Sequence, residues 1–305
     1  MKKIYLLLPI LAGIMFGSSG IFVRTLTQNG IDQITLLFLR FSISIIPILI
    51  AILLTDKELF KIDLKDLGLF FLCALCIMGL NLCYNQSMNS IPLSLAAVLL
   101  SLAPIYVLVF AYFMFGEKIT RKKLLCMALA IFGCLLMTGV LEESLANIPL
   151  FGIFSGIGAG LFWAVYLMAS KKSISNGNHT YTILFYSIIF ISIALIPFTN
   201  FNRIVSFVSI NPTLTIIFLI LHSTFSFALP YILSTLSLKY IDSGISSILL
   251  SGAEPFAALI FGLLIYGEIP TVLMFAGLIL TTFAMMILSL NGSEKIKFIT
   301  DLNQN

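Results

Sequence analysis

Apolar residues come in ten long runs along this chain, parted by short polar breaks. The runs cover residues 4–22, 34–54, 67–88, 93–115, 124–141, 150–170, 180–199, 213–236, 244–266 and 272–290. At ~1.5 Å per residue, a helix of about 20 residues crosses the ~30 Å hydrocarbon core of a bilayer. Each run must be helical, because an unpaired backbone group in hydrocarbon costs several kcal/mol. The longest polar breaks, 55–66 and 200–212, are about a dozen residues by the same reading of span lengths. They leave no room for a soluble catalytic or binding domain. The expected fold is an all-α integral membrane protein of ten transmembrane helices.

Composition agrees. The chain has 305 residues, 60% of them hydrophobic and 10% charged, with a mean hydropathy of +1.11. A soluble domain carries about 25% charged residues, so lipid is the solvent here. Lysine and arginine set the orientation. With the N-terminus in the cytoplasm, the inner breaks hold Lys2, Lys3, Lys57, Lys61, Lys65, Lys118, Arg121, Lys122, Lys123, Lys171, Lys172, Lys239, Lys295 and Lys297. The outer breaks hold only Arg24 and Arg203, and Arg40 lies within the second span. One span more or fewer would scramble this asymmetry, so both termini are expected in the cytoplasm.

Comparing the runs with one another uncovers a repeat. Residues 94–120 and 245–271 align without a gap: Leu99, Pro104, Leu108, Phe110, Gly116, Glu117 and Thr120 recur as Leu250, Pro255, Leu259, Phe261, Gly267, Glu268 and Thr271. The first and sixth spans align more weakly, Phe16 with Phe162 and Ala12-Gly13 with Gly158-Ala159, and Phe132 faces Phe283 in the fifth and tenth. Five spans per half is an odd number, so the second half is inverted relative to the first. The expected organisation is a first five-helix repeat over 1–141, a second over 150–290 and a cytoplasmic tail over 291–305.

Several classes drop out. Net charge is +4, but the cations sit at helix ends and form no basic face with stacking aromatics, so no nucleic-acid partner is expected. Cys73, Cys76, Cys83, Cys126 and Cys134 are odd in number and lie in apolar runs, against a disulfide framework. Cys73 and Cys76 have redox-motif spacing, but mid-membrane they read as small packing residues. With only His179 and His222, no metal cluster is visible. No cofactor is expected. The N-terminal run lacks a clear A-x-A site and has a counterpart in the second half, so it is expected to stay as the first span.

Ten spans, two inverted five-helix halves and a Pro-x12-Glu pattern ending in Gly-Glu in each half resemble the drug/metabolite transporter superfamily, in its EamA-like branch. Arg40, Trp163 and the Glu254-Pro255 pair match positions common there. The resemblance implies a central cavity between the halves, lined mainly by spans 1, 3, 4, 6, 8 and 9. It also implies alternating access, often with export. Relatives carry amino acids, cationic and aromatic compounds, nucleotide precursors and other metabolites, so the pattern does not name a solute.

Departures from the repeat are where function can hide. Glu254 stands where the first half has Ala103. It lies ~15 Å into the ninth span by helical rise, near mid-membrane. A charge there is expensive, which makes it a functional candidate by default. Pro255 leaves a carbonyl one turn earlier without its donor, as in the broken helices that line transporter cavities. The competing reading is a structural carboxyl bonded to a neighbouring helix. Arg40, in the second span, is expected either to meet a carboxylate or anionic solute group, or to snorkel to the outer headgroups. Trp163 and Tyr166, one turn apart mid-span, can wall a cavity and stack on a solute, or pack a core. Asn81, Tyr84 and Asn85 share one helical stripe, suited to joining helices or facing a wet cavity. His222 titrates near neutrality in general, yet reads as a satisfied core histidine beside Ser223 and Ser226.

Other features read as scaffold. Gly13, Gly17, Gly152, Gly156 and Gly160 allow close helix approach. Pro104 and Pro255 are expected to kink the fourth and ninth spans alike. Glu117 and Glu268 read as helix-end carboxylates at water, Glu117 pairing weakly with Lys118 or Arg121.

The sequence therefore reads as a secondary transporter, not an enzyme. No G-x4-G-K-[ST] segment is present to bind ATP. Glu254 and Arg40 are the coupling candidates, and Trp163, Tyr166, Tyr84, Asn81, Asn85 and His222 the solute-contact candidates. No catalytic set is expected. The solute is expected to be small and neutral, zwitterionic or cationic, and the protein a monomer or homodimer in the cell membrane, bacterial inner or plasma membrane. The alternatives are an intramembrane enzyme or a non-transporting membrane subunit.

Overall fold

The computed structural model describes residues 2–28, 30–91, 93–138, 141, 149–267 and 269–291. Within them every regular element is helical: α1 Leu7–Gly17, α2 Ser19–Gln28, α3 Gln33–Thr55, α4 Leu67–Ser90, α5 Leu93–Leu100, α6 Ala103–Phe115, α7 Arg121–Met137, α8 Leu150–Ser175, α9 Thr180–Leu195, α10 Phe201–Ile210, α11 Pro212–Ser223, α12 Leu229–Tyr240, α13 Ser243–Tyr266 and α14 Val272–Asn291. Nine stretches among the described residues are long and apolar enough to cross a membrane. The expected fifth span is α7, a helix of 17 residues that opens on Arg121, Lys122 and Lys123 and so is shorter in its apolar part than the others. Glu268 and the tail from residue 292 on lie outside the described residues.

Packing follows a two-fold logic. The first span packs on the ninth as the sixth packs on the fourth, the third packs on the sixth as the eighth packs on the first, and α7 lies along α14. Small residues set the first of these contacts. A Cβ on Gly17 would stand 2.4 Å from the Glu254 carbonyl oxygen and 2.8 Å from Ala257 Cβ. Only glycine lets the two backbones approach so closely. Gly152 and Gly156 likewise meet Ile91 and Leu99, in keeping with a scaffold role.

The Gly-Glu pairs prove to be helix stops. Gly116 (φ 63°) and Gly267 (φ 67°) both take the left-handed conformation, and each donates its N–H back into the last turn. Such a position suits glycine, which has no Cβ to clash.

The prolines, expected to act alike, do not. The fourth span breaks between α5 and α6, where Ser101 and Leu102 form a turn and Pro104 opens the next helix. The ninth span runs unbroken through Pro255. At the break the Ser101 hydroxyl and N–H both donate to the Ala97 carbonyl, at 2.9 and 3.0 Å. The repeat counterpart of Ser101 is Gly252.

Two further features were not anticipated. The 200–212 break contains α10, capped where the Asn200 side chain accepts the Arg203 N–H at 3.1 Å. Its Phe207 is buried with Leu26, Ile31, Leu36 and Leu219. The eighth span carries a π turn, Thr224–Ala228, between α11 and α12.

Candidate functional site

The ends of several spans meet where Lys123, Lys171 and Asp242 lie, here termed the basic end. Glu117 is placed there, but not as a solvated surface ion, and this corrects the sequence reading. It is only 8% exposed. Its carboxylate accepts from Lys171 Nζ, from the Ser243 N–H at 2.8 Å and from the Gly244 N–H at 3.3 Å, and Lys123 Nζ lies 3.9 Å away. Lys123 also donates to Asp242 at 2.9 Å. Lys118 and Arg121 are not its partners. The first turn of α13 is thus capped by a carboxylate from the end of α6, because Asp242 at the cap position makes no capping bond of its own.

Above this cluster lies a layer of aromatics. Trp163, Tyr166, Phe227 and Tyr231 are all buried. Trp163 contacts Tyr166 at 5.4 Å, Tyr231 at 5.6 Å and Phe16 at 5.8 Å between ring centroids, and Phe227 lies 4.4 Å from Tyr231. The Tyr166 and Thr235 hydroxyls stand 2.5 Å apart, joining α8 to α12. By helical rise, Tyr166 and Tyr231 sit about 14 Å from the basic end of their helices.

The polar candidates sit at the level of this layer and beyond it. Measured the same way, Glu254 lies about 17 Å from the basic end, Arg40 and Asn81 about 22 Å, and Tyr84 and Asn85 about 26 Å. All five are part-exposed, although they are mid-span. Glu254 faces the interior, with Tyr84, Cys134 and Tyr231 within electrostatic reach of its carboxyl group. Its backbone lies against Gly13 and Gly17. Spans 1, 3, 5 and 8 therefore surround it. No described side chain forms an ion pair with Glu254.

Arg40 turns inward and does not snorkel. Its Nη2 donates to Asn81 Oδ1, while Asn81 Nδ2 holds the Ile77 carbonyl at 2.7 Å. The guanidinium lies 5.4 Å from the Phe41 ring and 5.2 Å from the Phe227 ring. It meets no carboxylate among the described residues, and its Nε is buried without a partner. Arg40, Asn81 and Glu254 all lie within electrostatic reach of the Tyr231 hydroxyl. Tyr231 is thus the hub of the cluster. The sequence reading gave it no role, because its partners come from helices far away in the chain.

His222 is fully buried, as expected of a core residue, but it is not satisfied: neither ring nitrogen has a partner. Its ring lies 5.7 Å from Phe22, and Arg40 is within electrostatic reach. The neighbouring Ser223 hydroxyl is also unpartnered, while its carbonyl accepts from Ser44 at 2.8 Å. The structure thus brings Arg40, Asn81 and Glu254 toward Tyr231, with Tyr84 near Glu254, Trp163 and Tyr166 in the layer beside Tyr231, and His222 near Arg40. Asn85 makes no hydrogen bond to this group. Cys73 and Cys76 are free and buried, with Cys73 Sγ 3.6 Å from Ser170 Oγ. Among the described residues no three His, Cys, Asp or Glu side chains come together to hold a metal.

The sequence matches the EamA-like transporter family twice, over residues 3–139 and 150–290. It is 28% identical over 274 residues to an uncharacterised transporter of Archaeoglobus fulgidus, covering 88% of this chain and 90% of that one. An uncharacterised transporter of Clostridium kluyveri is 25% identical over 276 residues, covering 88% and 87%. One solved crystal structure superposes with a TM-score of 0.79 at 14% identity, over 96% of this chain and 98% of its own. That likeness establishes a shared fold.

Proposed function

Because the chain belongs to the EamA-like transporter family, we propose that it is a secondary transporter moving a small neutral, zwitterionic or cationic organic solute, such as an amino acid, across the cell membrane. The observation that carries this reading is Glu254: a carboxyl group without an ion-pair partner among the described residues, midway through the bundle, held against the first span by close backbone contact. A purely structural carboxyl would be expected to find a partner at such depth. Arg40, Asn81, Tyr84, Trp163 and Tyr231 supply polar and aromatic groups around it, and with Tyr166, Asn85 and His222 they form the proposed solute environment.

In this proposal α7 completes a set of ten spans, both termini and the basic end are cytoplasmic, and the bacterial inner or plasma membrane is the site of action. The aromatic layer and the Glu117–Lys171–Lys123–Asp242 cluster close the cytoplasmic side. Rocking one half against the other opens it and delivers solute, with export the favoured direction. Glu254 takes up and releases the coupling proton. The enzyme alternative has little behind it, since His222 hydrogen-bonds neither Ser223 nor Ser226.

The test is solute flux in proteoliposomes under an imposed gradient, for the intact protein and for Glu254→Gln. Expected is downhill flux by both and pH-driven uphill flux by the intact protein alone. Uphill flux by Glu254→Gln at every pH would remove the proton role. Absence of flux across a broad solute panel, with the fold intact, would remove the transport reading.

A further inference from the structure

A crevice of about 290 Å³ opens on the lipid-facing surface of the bundle, toward the basic end. Its floor is α8, and α4 and α6, each packed on α8, form its walls. Val165, Met168, Ala169 and Lys172 line the floor at i, i+3, i+4 and i+7, one face of a helix. Trp163 and Tyr166 are turned at least about 100° from that face and join the aromatic layer instead. The crevice is therefore separate from the proposed solute environment. Leu69 and Leu72 supply one wall, Phe110 and Met114 the other. The neighbouring Phe71 and Phe113 are 51% and 77% exposed, so both walls belong to the surface that lipid covers.

Seven of the eight lining side chains are apolar, and the eighth is Lys172, in the last turn of α8. Lys172 is exposed and forms no ion pair among the described residues. Its sequence neighbour Lys171 is held by Glu117. Asp66 stands near the same rim, but its carboxylate accepts from Asn176 Nδ2 at 3.1 Å. From Lys172 to Val165 the floor runs about 10 Å along the helix axis. Lipid tails are as apolar as leucine, so hydrophobicity alone selects no occupant here. What an occupant gains is packing, because lining atoms without partners forfeit their dispersion contacts. A flexible hydrocarbon chain fits such a slot, whereas a solute with several polar groups would leave them unmatched. At the mouth a free ammonium calls for an anion, and it donates well to phosphate oxygens.

We propose that the crevice between α4, α6 and α8 binds an anionic phospholipid, one acyl chain lying along Val165, Met168 and Ala169 and the phosphate on Lys172. Basic groups between transmembrane helices at the cytoplasmic end suit such headgroups. The site stands whatever the solute is, because none of its residues belongs to the solute cluster. Its walls come from the first half of the chain and its floor from the second. A lipid seated there touches both halves and stabilises the arrangement in which the three helices meet.

The test offers purified intact protein in detergent equal amounts of dioleoylphosphatidylglycerol and dioleoylphosphatidylcholine. Native mass spectrometry reads the retained lipid, and a thermal melt runs in parallel. The two lipids share their chains and differ in net charge. Expected is about fivefold preference for phosphatidylglycerol, the effect of one basic residue at a membrane surface, with a higher melting temperature in its presence. Lys172→Gln should bring the ratio to about one, and Lys172→Arg should keep it. Lys118→Gln, at an exposed lysine of the same end outside the crevice, should leave it unchanged. Val165→Phe, which fills the deep end, should lower retention of both lipids, and Leu72→Trp on the partly exposed wall repeats that arm if the first variant fails to fold. Equal retention of the two lipids by the intact protein overturns the proposal, as does an unaltered preference in Lys172→Gln. Undiminished retention in the filled variants places the lipid elsewhere and overturns it too. Glycerophosphoglycerol, the same headgroup without chains, should not displace the lipid. Displacement at equal concentration would make this a site for a free phosphate ester and overturn the lipid assignment.

Discussion

Replacing Glu117 should cost the fold far more than a helix-end carboxylate normally would. The carboxylate accepts from Lys171, from two backbone N–H groups at the start of α13, and lies 3.9 Å from Lys123. Glu117→Ala leaves the Ser243 and Gly244 N–H groups without an acceptor. Losing a helix cap costs about 1 kcal/mol. It also strips Lys171 of its one ion-pair partner among the described residues, leaving the Ser243 hydroxyl at 3.1 Å and the Phe115 ring at 5.1 Å. Breaking a buried pair costs roughly 3–5 kcal/mol. Lys171 is 19% exposed and can turn toward water, so the lower part of that range applies. Lys123 keeps Asp242. The expected total is about 3–4 kcal/mol for Glu117→Ala. Glu117→Gln should lose about half as much, because its carbonyl oxygen still accepts one N–H. Equilibrium unfolding in mixed detergent, with far-UV circular dichroism as readout, measures both. In a double-mutant cycle with Lys171→Met, coupling above about 1 kcal/mol is expected. A Glu117→Ala loss within about 0.5 kcal/mol of zero, the behaviour of an exposed pair, would refute the argument.

The first–ninth span contact gives a paired test. Gly17→Ala forces a Cβ onto the Glu254 carbonyl oxygen and should destabilise by about 1–3 kcal/mol, whereas Gly20→Ala, with nothing within 4 Å, should be neutral or slightly stabilising. Equal melting temperatures for the two would sink the close-approach argument. Tyr166→Phe removes the 2.5 Å contact with Thr235 and should cost about 1 kcal/mol in the same unfolding assay, so an unchanged midpoint would count against that bond. His179 lies in a turn outside the spans, where its Nδ1 accepts the Tyr181 N–H at 3.3 Å as the cap of α9. Partial burial, with Lys239 nearby, holds its pKa below the usual histidine value. A depressed pKa means that the unfolded chain protonates first. The stabilisation is therefore complete above the unfolded value of 6.5 and fades as pH falls through the folded one. His179→Asn, which keeps a cap acceptor but cannot titrate, should flatten that part of the stability–pH curve, and an unaltered curve would rule out His179 as its source.

How far the sequence could be read depended on how far apart the partners lie in the chain. Spans and repeat were legible because hydrophobic length and an ungapped offset are local signals. The paired helix stops at Gly116 and Gly267 followed from the aligned Gly-Glu ends. The break before Pro104 was not legible: the aligned prolines implied matching kinks, and only the structure shows one span broken and the other continuous. Helix α10 had a signal in the spacing of Phe201, Ile204, Val205 and Val208, overlooked because the stretch was read by its polar residues. Glu117 was misread because its real partners lie 54 and 126 residues away, while Lys118 and Arg121 are merely near in sequence. Arg40 and Tyr231 come together across nearly two hundred residues, and no single-sequence periodicity encodes that distance.

The π turn at Thr224–Ala228 fixes the rotational phase of the rest of the eighth span. Each residue of an α-helix turns the chain by about 100°, so one residue too many would leave everything beyond it about 100° out of phase. A π turn holds roughly one residue more than an α turn and takes back that rotation. The extra residue is thus absorbed as a local widening, and Tyr231 and Thr235 lie buried in the bundle. Deleting one residue within 224–228 should convert the widened turn to ordinary α-helix and swing that stripe toward lipid, a lesion of register in which no contact residue has been changed.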